Sequence, residues 1–112
     1  MIRVRLETDE HGRIVRFRMK GHALDRWPFA DPICAGVSAI AQTAIGSLQD
    51  IAGIEPTYTL NHGDIACAFT YPDDPEQALK AEVIMETVRI GCLQIEHSYG
   101  RDKVTVEMTS KE

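Results

Sequence analysis

Neither Cys-x-x-Cys nor His-x-x-x-His occurs in the 112 residues, so the paired ligands of a structural zinc site are missing. Glycine is no better arranged for phosphate. Gly21, Gly36 and Gly46 match neither the dinucleotide nor the P-loop spacing, and no Lys-Ser or Lys-Thr pair follows them. Positive charge is short as well: twelve Lys and Arg face seventeen Asp and Glu, giving a formal charge of −5 and a pI near 5.3. That balance argues against direct nucleic-acid binding and suits a basic partner better. No apolar run reaches the length of a membrane span, and the start, Met1-Ile2-Arg3-Val4-Arg5, alternates charge with apolar residues as no signal peptide does. A cytoplasmic protein is expected. Three cysteines do not make the dense, even set of a secreted disulfide scaffold, and in a reducing compartment they are free thiols that pack, ligate or react.

What is present reads as one domain over residues 1–112, long enough to bury a core unaided. Ile2 to Thr8 alternates apolar and polar residues, Asp9-Glu10-His11-Gly12 is a turn, and Arg13 to Lys20 alternates again with Val15, Phe17 and Met19 inward, which predicts a hairpin. From Pro32 to about Ala52 apolar residues recur at helical spacing up to Gly53. Thr57 to Asn61 and Ile65 to Tyr71 form a second hairpin around His62-Gly63-Asp64. Asp74 caps a second helix reaching about Ser98, its stripe drawn from Leu79, Val83, Ile84, Val88, Cys92 and Ile95, with Ile90 and Leu93 widening it toward a second buried contact. Lys103 to Thr109 is a last strand. The order ββαββαβ predicts an α+β fold with two helices on one face of a mostly antiparallel or mixed sheet of about five strands. Cys67 and Cys92 fall on apolar faces and read as core.

Chemistry concentrates between Gly21 and Gln42. Asp31 suits an N-cap and Pro32 the first helical position, so Cys34 stands in the first turn, where unpaired N–H groups and the helix dipole favour a thiolate. His22 can fold back on that sulfur if the intervening loop closes, giving the minimum apparatus of covalent acyl transfer. Asp31 opposes the thiolate unless it also holds His22 as imidazolium. Zinc held by His22, Asp31 and Cys34 is a weak alternative, and a redox sensor at Cys34 or a non-catalytic peptide-binding module are others. Trp27 and Phe29, in a stretch without periodicity, either fold onto the core or contact a ligand.

Gly21-His22-Ala23 followed by Asp31-x-x-Cys34-Ala35-Gly36-x-Ser38-Ala39 resembles the signature of the ribosomal-processing cysteine protease family, Prp, and the likeness runs along nearly the whole chain. The resemblance implies a homodimeric endopeptidase without cofactor or metal, with Cys34 as nucleophile, His22 as base and Asp31 and Ser38 in support. It also implies removal of an N-terminal extension from the twenty-seventh protein of the large ribosomal subunit, with cleavage after aromatic residues. Backbone N–H groups of Cys34 and Ala35 are expected to hold the oxyanion. Family members carry glycines after the histidine where this chain has Leu24 to Phe29, so Trp27 and Phe29 are expected to act as a substrate loop.

Overall fold

The computed structural model describes residues 1–23 and 31–110. In chain order it holds β1 (Ile2–Thr8), β2 (Ile14–Gly21), α1 (Pro32–Asp50), β3 (Thr57–Asn61), β4 (Asp64–Ala68), α2 (Pro75–Tyr99) and β5 (Val104–Ser110). The five strands form one mixed sheet in the order β3-β4-β2-β1-β5, with β1 and β5 parallel and the other pairs antiparallel. The expected α+β architecture is therefore what the chain adopts.

Alternation decides the layers. Ile2, Val4 and Leu6 of β1, Phe17 and Met19 of β2, Ile65 and Cys67 of β4 and Val104 of β5 are buried together with the apolar faces of both helices. The opposite face of β1 and β2 exposes Arg3, Arg5, Arg16, Arg18 and Lys20 to solvent, where Arg18 makes a forked pair with Asp64 at 2.8 and 3.0 Å. Small residues let the helices close on each other. Gly36 of α1 faces Ile95, and a Cβ on Gly91 of α2 would stand 3.0 Å from Ile40 Cδ1. Among the described residues no helix is long and apolar enough to cross a membrane.

Four expectations need correction. Strand β4 ends at Ala68, three residues short of the expected Tyr71. Val15 is not the inward residue at the start of β2. The pairing steps from Glu7↔Arg16 to Thr8↔Ile14, leaving Val15 as a bulge and turning Ile14 inward instead. Helix α1 stops at Asp50, and Ile51 is left 58% exposed while Ala52 is buried. The buried stripe of α2 is Ala81, Ile84, Met85, Val88 and Cys92, whereas Leu79, Val83, Ile90 and Leu93 are exposed. At 100° per residue those four lie within an arc of about 80° centred opposite the buried stripe, so α2 is apolar on both sides and only one meets the core.

Burial pushes the Cys67 and Cys92 thiols up to about 12 from the ordinary 9.0. A raised folded value means the native state holds protons that the unfolded chain releases, so this contribution is whole below about pH 9 and is lost as pH rises beyond it. Each thiol should cost about 1.4 kcal/mol per pH unit between those limits. Urea midpoints measured from pH 8 to 11 should fall, and fall less steeply in the Cys67→Ala/Cys92→Ala double variant. Parallel slopes would contradict the assignment.

Candidate active site

Strand β2 ends on Gly21 with φ at +109°, a region closed to side chains, and any Cβ there would strike the carbonyl oxygen of Met1. The chain thus leaves the sheet and delivers His22 beside the β3–β4 turn, where Gly21 N donates to Gly63 O at 2.9 Å. On the other side α1 starts at Pro32 behind its cap, Asp31. One carboxylate joins the two segments. Asp31 Oδ1 accepts from Cys34 N at 3.0 Å, and Oδ2 accepts from Ala23 N at 2.9 Å. His22 Nδ1 and Cys34 Sγ consequently stand 4.0 Å apart, at the long end of a hydrogen bond to sulfur.

The far side of the imidazole is seated on the turn. Gly63, at φ +74°, has no Cβ because one would lie 2.5 Å from His22 Nε2. The His62 ring stands 4.9 Å from the His22 ring, tilted by 41°. Ile2, Met19, Val37, Ser38 and Ile65 line the small pocket beneath the sulfur.

Cys34 is half-buried, and its thiol lies above the ordinary value of 9.0. Burial is the largest cause and the nearby Asp31 charge the second, while a hydrogen bond from Ser38 acts the other way. The lowered thiol expected from the helix start is therefore not found in this arrangement, because burial and the Asp31 charge raise it.

The family model for the cysteine protease Prp matches residues 1–104. The chain belongs to the Prp cysteine protease family. The ribosomal processing cysteine protease Prp of Bacillus subtilis (strain 168) is 30% identical over 101 residues, spanning 88% of this chain and 90% of that protein. Among solved structures, the essential ribosomal processing protease Prp of S. aureus with a covalently linked product peptide shares the fold at a TM-score of 0.79 and 21% identity, covering 99% of this chain and 100% of that one. A Streptococcus mutans protein matches at a TM-score of 0.82 and 18% identity, covering 99% of both. The S. aureus protease is also solved with a substrate peptide, at a TM-score of 0.79 and 18% identity, covering 97% of this chain and 100% of that one.

As a Prp cysteine peptidase, the protein keeps one thiol partly open, Cys34, and two buried, Cys67 and Cys92. Helix α1 places Ser38 one turn beyond the sulfur. Both N–H groups expected to hold an oxyanion are committed to the helix cap: Cys34 N to the Asp31 carboxylate and Ala35 N to the Asp31 carbonyl at 3.0 Å. The ligand atoms of His22, Asp31 and Cys34 lie within 4.8 Å of one another, close enough for one cation. Each Asp31 oxygen already accepts a backbone N–H, so a metal would compete with the cap. Trp27 and Phe29 lie outside the described residues. Sequence reasoning passed over His62 and Gly63, reading them only as a turn, since their contact with His22 is long-range and no local spacing encodes it.

Replacing Gly63 with alanine should dislodge His22, because the new methyl needs the space of Nε2. A displacement near 1 Å costs on the order of 10²-fold in turnover. The Gly63→Ala variant should therefore lose most peptide cleavage while its circular dichroism stays that of the parent; full activity would show that the seat does not fix the ring.

Proposed function

We propose that Cys34 is the nucleophile and His22 the base of an endopeptidase that trims the N-terminal extension of the twenty-seventh large-subunit ribosomal protein. The observation that carries the reading is the 4.0 Å approach of Sγ and Nδ1, held by the Asp31 bridge. His22 Nδ1 takes the Sγ proton, and the sulfur attacks the scissile carbonyl to give a tetrahedral oxyanion. Collapse expels the new amine, which takes the proton from His22, and leaves a thioester on Cys34. Water, deprotonated by His22, then attacks the thioester and releases the acid. Ser38 supports the step by a hydrogen bond to the sulfur, which eases its ionisation.

The ribosomal substrate is supported by the name of the Bacillus subtilis relative and by the charge of −5, which suits a basic ribosomal protein. We place the enzyme in the cytoplasm, where ribosomes assemble, and read it as a homodimer. Leu79, Val83, Ile90 and Leu93 favour that pairing, since they form an exposed apolar stripe on α2 about 21 Å long at 1.5 Å per residue.

Incubating the precursor with the purified protein and weighing the products should reveal a single trimming event. Cys34→Ala and His22→Ala should each reduce the rate at least about 10³-fold with unchanged thermal midpoints. An uncut precursor, or cleavage that survives Cys34→Ala, would refute the assignment, whereas a peptide-binding module would hold the precursor and never turn it over. For the dimer, sedimentation velocity should report twice the chain mass for the parent and a monomer for Ile90→Glu/Leu93→Glu. A parent that sediments as a monomer excludes it.

A further inference from the structure

Helix α1 meets α2 through Gly36 and Ile40, which face Ile95 and Gly91. At 100° per residue Cys34, Ser38 and Gln42 then occupy the opposite flank of α1, turned away from α2. That flank overlies the side of the sheet where β4 and then β3 lie, since α1 packs on β4 while α2 packs on β5 and β2. The sulfur's pocket is lined there by Gly63, Asp64 and Ile65.

Strand β3 is the outermost strand on that side, and every one of its residues is exposed. Leu60 pairs with Ile65 and Tyr58 with Cys67, two residues buried beneath the helices, so Leu60 and Tyr58 project on the helix side of the sheet. Neither α1 nor α2 buries them. They are 49% and 43% exposed. The edge itself, Thr57-Tyr58-Thr59-Leu60-Asn61, carries no charge and no proline in a chain that is 26% charged. Charge and proline are common devices that keep a sheet edge from pairing, and β3 carries neither.

We propose that an extended segment of the substrate pairs with the free edge of β3 as a sixth strand and seats its apolar side chains on Leu60 and Tyr58. The proposal rests on Cys34 and His22 being the reacting pair. Leu60 lies one strand, about 4.8 Å, beyond Ile65, which itself lines the sulfur's pocket, so the docking edge is one strand away from the pocket wall. Main-chain pairing supplies affinity with little sequence preference, and the two apolar contacts select uncharged residues at alternate positions.

The test uses the full chain and a synthetic peptide spanning the cleavage site of the ribosomal precursor. In the Cys34→Ala variant, which holds the peptide without cutting it, hydrogen exchange of amides 57–61 should slow at least about tenfold on binding. In the active enzyme Leu60→Asp and Tyr58→Asp should each raise KM about tenfold and change kcat less than twofold, the scale of one lost apolar contact. Alkylation of Cys34 by iodoacetamide should be the same in both variants as in the parent, which separates a lost docking strand from a damaged site. Unchanged exchange at 57–61, or unchanged KM, overturns the proposal while leaving the reacting pair intact. Exchange already slow without peptide, and faster on dilution, gives the edge to a second copy and overturns it too. If instead the parent never cuts the peptide and His22→Ala leaves Cys34 alkylation unaffected, the reacting pair itself has failed and the docking strand falls with it.

Discussion

A single carboxylate, 9% exposed, holds the two halves of the site in register. Asp31 grips the N–H of Ala23 with one oxygen and the N–H of Cys34 with the other, so the residue after the histidine and the residue bearing the sulfur are tied to the same rigid group. Hydrogen bonds to a charged acceptor are among the stronger ones available to a protein, and here two of them bridge segments that share no regular secondary structure. Without this bridge nothing among the described contacts would bind the end of β2 to the start of α1 with comparable directness. The 4.0 Å approach of Nδ1 to Sγ is its consequence.

The scaffold delivers both partners to the bridge from rigid elements. Gly21 allows the chain to leave β2 at an angle that no other residue tolerates, and Gly63 leaves room for the imidazole above the β3–β4 turn. On the other side the sulfur sits in the first turn of a helix whose apolar face, from Ile33 to Leu48, is locked into the core. His22 and Cys34 therefore inherit the stability of the sheet and of α1. Glycine serves at these places for want of a side chain, and the cost in chain entropy falls where the chemistry needs close approach.

Much of this was legible in the residues because it is local. Alternation gave β1 and β3 their limits, and capping aspartates before Pro32 and Pro75 gave both helix starts. The errors share a cause in the third dimension. The extra residue at Val15 is a property of the pairing with β1, and period alone does not reveal a bulge. Leu79 and Val83 have the spacing of a core stripe, and only the position of the sheet shows that α2 buries its other side. Within the site, His22, Asp31 and Cys34 were visible as a motif with plausible chemistry, and Asp31 proves to be cap and tether at once. The seat formed by His62 and Gly63 was not visible, since it depends on a turn from the second hairpin arriving under a loop of the first.

The position of Asp31 also explains why the thiol is not ionised by its place on the helix. The positive end of α1 is directed at the Asp31 carboxylate, which takes the Cys34 N–H that would otherwise have favoured a thiolate. A negative sulfur would then face a negative carboxylate in a half-buried pocket, and both burial and that charge keep the proton on sulfur. The opposition reverses once the proton moves to His22. In the reaction proposed above the proton passes from Sγ to Nδ1 across that 4.0 Å, so the thiolate is formed beside the new cation and not alone. If Cys34 and His22 are the reacting pair, ionisation of the sulfur depends on the imidazole coming closer than its resting 4.0 Å. The bridge therefore does more than align the two side chains, because its charge makes a thiolate costly unless the imidazole takes the proton.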